Sequence, residues 1–248
     1  MKRLALAAGL AIFATAAQAE PTHVMVRAQA LDAKFIGTHV GGVRITLRDA
    51  RTGAVLAKGV TSGGTGDTGV IMKQPRQRGA AITNADTAGF DAVLDISNPT
   101  LVRAEAEGPV GKPASAIKVA SSLLVVPGRN VGGDGWVLTF PGLVIEPAAQ
   151  PVADGSLQVS AKVTLMCGCP IEPGGVWNAA NYTVEALLMK GQRTVAHIPL
   201  AYAGQASQFA GAFPLPVPGR YVLRVLATDA TSPNAGIVDQ KITVRRPK

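Results

Sequence analysis

Cys167 and Cys169, the two cysteines of the chain, stand one residue apart in the stretch Lys162-Val-Thr-Leu-Met-Cys-Gly-Cys-Pro-Ile-Glu-Pro-Gly-Gly-Val-Trp177. Sulfur at this spacing offers three kinds of chemistry. The pair can close on itself, because Gly168 permits a bend that brings the Cα atoms within the ~4.4–6.8 Å that a disulfide requires. Such a loop is too small to add much chain-entropy stabilisation, and the bond is strained and easily reduced. Reduced, the two thiolates can hold a soft cation such as Cu(I), with Met166 as a thioether donor or a histidine brought by folding, His197 being a late ligand if its hairpin crosses the loop. The third option is thiol–disulfide exchange. Efficient exchangers place two residues between the cysteines at a helix start, where the thiolate is stabilised, and that setting is missing.

Other reactive residue types are scattered. His23, His39 and His197 are far apart in sequence, and His197 alternates with Ala196 and Ile198, which puts it on the solvent side of a strand. Asp91 and Asp95 share one strand face and read as solvated, not as an acid–base pair. No Gly-x-Ser-x-Gly elbow is present for a serine nucleophile. The glycine-rich run Thr61-Ser-Gly-Gly-Thr-Gly-Asp-Thr-Gly69 lacks the following helix and the Gly-Lys-Ser/Thr ending of a phosphate cradle, so it reads as a turn or lid. Asp67 within it has no second carboxylate nearby to build a calcium site. These absences point away from an enzyme, and Cu(I) is the one cofactor the residues suggest.

The elements that must position the cysteine pair are strands. Leu157, Val159, Ala161, Val163 and Leu165 alternate with Gln158, Ser160, Lys162 and Thr164, which gives a strand with one buried face running into the pair. If that strand stays regular, Cys167 faces inward and Met166 outward, so the two can grip one ion only if pairing stops at Leu165. Similar short runs, broken by 28 glycines and 17 prolines, continue along the chain and predict an all-β protein. Val43, Ile45 and Leu47 face opposite to Arg44, Thr46 and Arg48, and the chain turns at Arg51-Thr-Gly53 into Ala54-Val-Leu-Ala-Lys58. Further strands are expected at 90–96, 101–106, 116–126 (buried on both faces at its end) and 136–140, with a turn at 127–135 and a long polar surface loop at 73–87.

The hairpin Gly-Val-x-Ile-x-Leu-x-Asp-x-x-Thr-Gly-x-Val-Leu-Ala resembles the opening hairpin of transthyretin-like, prealbumin-type sandwich modules. Near the other end, Pro218-Gly-Arg-Tyr-Val-Leu-Arg-Val-Leu-Ala-Thr-Asp229 is similar to the penultimate strand of immunoglobulin-like and fibronectin-type sandwiches, with a final strand from Ile237 to Val244 to pair with it. These resemblances imply two β-sandwich domains. We place them at residues 20–147 and 156–248, divided by the Pro-, Ala- and Gly-rich stretch 147–155. The immunoglobulin likeness lacks the inter-sheet cysteine pair of antibody domains, and neither likeness carries an activity.

The chain begins with Lys2-Arg3, an apolar run and Ala17-Gln-Ala19, the pattern of a cleaved secretory signal over residues 1–19. No stretch has the ~20 apolar residues of a spanning helix. The formal charge is +8, of which Lys2 and Arg3 belong to the leader, and the remainder is thinly spread apart from clusters at 73–78 and 245–248. With 4% aromatics there are few platforms for stacking bases, so nucleic acid is not an expected partner. The sequence therefore predicts a periplasmic or secreted, non-catalytic binding or accessory protein that presents loops or sheet edges to a periplasmic or envelope protein. A copper(I)-handling protein and a thiol–disulfide protein are the alternatives.

Overall fold

The alternation read in the sequence becomes four sheets in a computed structural model that describes residues 21–152 and 155–245. The expected leader, residues 1–19, lies outside the described residues. Seven strands come first: β1 (Thr22–Ala30), β2 (Arg44–Asp49), β3 (Val55–Val60), β4 (Phe90–Leu94), β5 (Thr100–Gly108), β6 (Ile117–Val125) and β7 (Val131–Phe140). They form a three-stranded sheet in the order β4-β1-β7 and a four-stranded sheet in the order β3-β2-β5-β6. Val24, Val26 and Ala28 of β1 and Ile45 and Leu47 of β2 are all buried, so the inner faces meet over an aliphatic core.

The β2–β3 hairpin forms for local reasons. Asp49 Oδ1 accepts from the amides of Arg51 and Thr52, and Gly53 takes the left-handed φ of +75° that ends the turn. It is not the opening hairpin, however. Strand β1 precedes it and lies in the other sheet, antiparallel to β4 and parallel to β7.

Two other expectations change. β7 begins at Val131, inside the expected turn, because Gly133 and Gly135 at positive φ accommodate a register shift opposite Val24 and Val26. Strand β6 is an edge, and its end is not buried on both faces: Leu124 is 60% exposed and stands opposite Leu101, 50% exposed, so the two leucines cover each other on the outer face.

Eight strands follow: β8 (Leu143–Pro151), β9 (Ser156–Leu165), β10 (Tyr182–Lys190), β11 (Arg193–Pro199), β12 (Ala201–Tyr202), β13 (Gln208–Pro214), β14 (Gly219–Asp229) and β15 (Ala235–Val244). Their sheets run β12-β13-β9-β8 and β11-β10-β14-β15. That order is the two-sheet arrangement of an immunoglobulin-like sandwich. A tyrosine corner accompanies it: Tyr221, near the start of β14, donates its hydroxyl to the Val217 carbonyl at 2.8 Å.

Of the stretch 147–155, expected as a linker, residues 147–151 are the end of β8, with Pro147 paired to Ala161 and Pro151 to Leu157. Pro147 and Pro151 are tolerated because β8 is an edge strand. The chain passes between the two pairs of sheets at Pro141–Gly142, between β7 and β8.

Side chains tie the sandwiches together at this crossing. Asn234, 1% exposed, accepts from the Gly142 amide at 2.8 Å and donates to the Leu31 carbonyl at 3.0 Å. Ser115 Oγ accepts from the Ile145 amide, and Lys112 Nζ lies 2.7 Å from Glu146. Buried residues of both sandwiches belong to one contiguous apolar cluster. No helix among the described residues is long and apolar enough to cross a membrane.

Candidate functional site

Strand β9 stops at Leu165, the condition under which the cysteine loop leaves the sheet. The Gly168 amide donates to the Leu165 carbonyl at 2.8 Å, and the Leu165 amide to the Cys169 carbonyl at 3.2 Å. With Gly168 at φ +73°, this is a three-residue hairpin loop closed by a left-handed glycine. Cys167 Sγ and Cys169 Sγ are joined, 2.08 Å apart, with the Cα atoms 5.3 Å from each other. Beyond the loop, Ile171 is clamped to Ser207: its amide donates to Ser207 Oγ at 3.0 Å, and the Ser207 amide donates to its carbonyl at 2.7 Å. The following turn closes on itself, since the amides of Gly175 and Ala179 donate to the Glu172 carbonyl and the Glu172 amide to the Trp177 carbonyl.

The first sandwich supplies the opposite wall. A single 3-10 turn, Thr38–Val40, presents His39 to the loop. A Cβ placed on Gly168 would lie 2.7 Å from His39 Nε2 and 2.9 Å from Val40 Cγ1, so only glycine allows the loop this close. The indole of Trp177 donates to the Asp32 carbonyl at 2.9 Å from the other side. Between these contacts lies a hollow of about 410 Å³, lined by Lys34, His39, Thr65 and Thr68 of the first sandwich and by Cys167, Cys169, Glu172, Val176 and Trp177 of the second. Junctions between sandwiches are where ligand seats commonly form.

The loop carrying Thr65 and Thr68 is held, not free. Phe35 donates to the Thr65 carbonyl, Gly64 to that of Asp86, and Ala88 back to that of Gly64. Asp67, considered for calcium, caps the next turn by accepting from the Val70 amide at 2.8 Å. The long loop at 73–87 is pinned at its far end by Asp134, which accepts from the amides of Ile82 and Thr83, and by the buried Arg27 guanidinium, which donates to the carbonyls of Thr87 and Ala88.

No family model matches the chain, and no curated protein matches it. Among solved structures, a DUF3823 family protein from Bacteroides ovatus ATCC 8483 is 9% identical with a TM-score of 0.32, covering 90% of this chain and 99% of its own. The chicken interferon gamma receptor alpha chain is 8% identical with a TM-score of 0.34, covering 92% of this chain and 99% of its own. Neither bears on what this chain does, and the fold described above rests on its own strand pairing.

The expected soft-donor set is not assembled. Met166 is fully buried and turns away from the hollow: its Cε lies 3.3 Å from the position of a Cβ on Gly142, and it lines a separate cavity with Leu143, Leu226 and Ala235. It packs the junction between the sandwiches. His197 lies on the edge strand β11 with Nε2 3.2 Å from Glu185 and does not reach the hollow. Asp91 is occupied by His23, 3.0 Å away.

The histidine that does meet the cysteine loop is His39, which sequence reasoning passed over. Its only signal was proximity to Gly41-Gly42, a turn that lets Thr38–Val40 protrude, with φ values of +86° and +64°. A second depression, about 490 Å³, lies on the outer face of β2, β5 and β6, but there Arg44, Arg103 and Lys118 alternate with Glu105 and Glu107 and pair with them. It is a solvated lattice of opposite charges.

A polar cluster supports the hollow from behind. Burial and the neighbouring Asp229 charge push the Asp32 carboxyl above its usual range. Asp229 is itself raised by burial, but hydrogen bonds from Ser232, Thr231 and Tyr182 together outweigh this and hold it below the usual range. Burial, then the charges of Asp229 and Asp32, push the Tyr182 hydroxyl well above its ordinary value, so it stays a neutral donor to Asp229.

Proposed function

We propose that the protein is exported to the periplasm and acts by binding, without catalysis, as an accessory protein whose seat is the hollow between the two sandwiches. The observation that carries this reading is that His39 and Lys34 from one sandwich and the Cys167–Cys169 loop and Trp177 from the other converge on one open, mixed polar and apolar depression. Trp177, 7% exposed, is fixed by its bond to Asp32 and forms a rigid wall of the seat, so the seat is ordered before a partner arrives. Glu172 and Lys34 on opposite sides supply both signs of charge at the rim. The occupant is a loop or edge of another envelope protein, since the seat lies at one end of the strands where loops from both sandwiches emerge.

A photo-activated cross-linker placed at Val176, half-exposed on the rim, tests this in cells against the same group at Gln158, which lies on a strand face away from the seat. The account requires one discrete adduct from Val176, with a mature amino terminus at Glu20, and none from Gln158. Equal labelling from both positions, or retention of the leader in a cytoplasmic protein, would contradict it.

A further inference from the structure

We infer that the free edge of β6 is a self-association surface, on which a second copy of this chain lays its own β6 antiparallel and joins the two four-stranded sheets into one. This does not depend on the hollow between the sandwiches.

The pairing of β6 with β5 fixes which backbone groups are free. The Ala50 amide donates to the Leu101 carbonyl at 2.8 Å, so alternate residues of β5 starting at Leu101 bond toward β2, while Val102, Ala104 and Ala106 bond toward β6. Their partners in register are Leu123, Ser121 and Val119. The amides and carbonyls of Lys118, Ala120, Ser122 and Leu124 therefore point away from the sheet, and no hydrogen bond to them exists among the described residues.

The other edges are protected and this one is not. Prolines interrupt β8 and β11, register shifts disturb the pairing of β3 and β7, and β15 carries Asp239 and Lys241. Strand β4 has five residues and β12 has two. Strand β6 runs nine residues in unbroken register, without proline or carboxylate and with a single charge, Lys118, near one end.

The sequence of β6 is complementary to itself. Toward the core it presents Ile117, Val119, Ser121, Leu123 and Val125, apolar on either side of one serine. A two-fold axis at Ser121 sets Val119 against the partner's Leu123 and Ile117 against the partner's Val125. Ser121, exposed although it faces inward, meets its own copy. The same register turns the free groups of Ala120 toward those of the partner's Ser122, and those of Lys118 toward the partner's Leu124. The Lys118 stem then covers that leucine, 60% exposed in the single chain, and the two ammonium groups stay at opposite ends. One residue further on, the partner's Val126 arrives opposite Ala116, beside an apolar depression of about 410 Å³ lined by Ala116, Ile117, Leu226 and Ile237.

Sedimentation equilibrium of the mature protein, residues 20–248, tests this directly. The mass should approach twice that of one chain at high micromolar concentration. Ser122→Pro removes only an outward-facing amide, so it should weaken association at least tenfold while leaving circular dichroism and the urea midpoint unchanged. In the paired state the Ser121 Cα atoms lie about 4.5 Å apart, so Ser121→Cys should cross-link chains on air oxidation. Leu124→Cys should not, because its copies are roughly 20 Å apart. A monomer at every concentration, or a dimer unaffected by Ser122→Pro, would overturn the proposal. So would cross-linking by Leu124→Cys in place of Ser121→Cys, or a monomer whose β6 amides gain exchange protection only when a different protein is added.

Discussion

Trp177 donates its indole N–H to the backbone carbonyl of Asp32, 145 residues away, at 2.9 Å. This bond crosses from one sandwich to the other and fixes the wall of the hollow. Asp32 holds a left-handed φ of +51°, which turns its carbonyl toward the indole. Replacing Trp177 by Phe keeps most of the apolar contact and leaves that carbonyl without its donor. The expected cost is about 1 kcal/mol of unfolding free energy, whereas Trp177→Ala should cost about 3–5 kcal/mol through the cavity as well. Urea unfolding followed by circular dichroism measures both, and equal losses would show that the hydrogen bond contributes nothing specific.

Gly168 is glycine for two separable reasons. Its φ of +73° disfavours any side chain, at about 1 kcal/mol for alanine, and a methyl would also collide with His39 and Val40. Gly168→Ala should therefore destabilise by about 2–3 kcal/mol in the natural background. In a His39→Ala background the same change should cost less, by about 0.5–1 kcal/mol, because one of the two obstructing groups is gone. Strict additivity in this double-mutant cycle would mean that His39 does not touch the loop.

The two carboxylates behind the hollow respond to pH in opposite senses. Asp229 has its pKa depressed in the folded state, so the stability it contributes is present above the ordinary value of 3.8 and is lost as pH falls below it. Asp32 has a raised folded pKa, so the folded state holds its proton more tightly, and stability declines as pH rises from 3.8 through the raised value. Asp229→Asn should lower stability at pH 7 by about 1–2 kcal/mol, through the weakened hydrogen bonds from Ser232 and Thr231, and should lower the Asp32 pKa by removing a neighbouring charge. Asp32→Asn tolerates the left-handed backbone and should be neutral or stabilising at pH 7, by no more than about 0.5 kcal/mol since solvent screens this exposed group. Carboxyl titration by NMR and unfolding at pH 3, 5 and 7 check these signs.

What the sequence disclosed was local. The alternation of Leu157 to Leu165 and of Tyr221 to Ala227 gave strands with the correct buried face, because period-two burial is written in consecutive residues. Gly168 signalled the bend between the cysteines for the same reason. Pro147 and Pro151 misled, since proline marks both linkers and edge strands, and only the pairing of β8 with β9 distinguishes the two. The non-local part of the site was illegible. His39 and Cys167 are separated by more than a hundred residues, and their meeting depends on how the sandwiches abut through Asn234, Gly142 and Trp177, contacts that no periodicity encodes.

The account stands most directly on the contact between His39 and the cysteine loop, because that contact makes the hollow a property of both sandwiches. A nuclear Overhauser experiment on carbon-13-labelled protein reads it without any ligand. Cross-peaks between the His39 ring protons and the Gly168 α-protons are predicted, together with slow exchange of the Gly168 amide bonded to Leu165. Absence of those cross-peaks, with the Gly168 amide exchanging as fast as an open loop, would contradict a seat built jointly by the two halves.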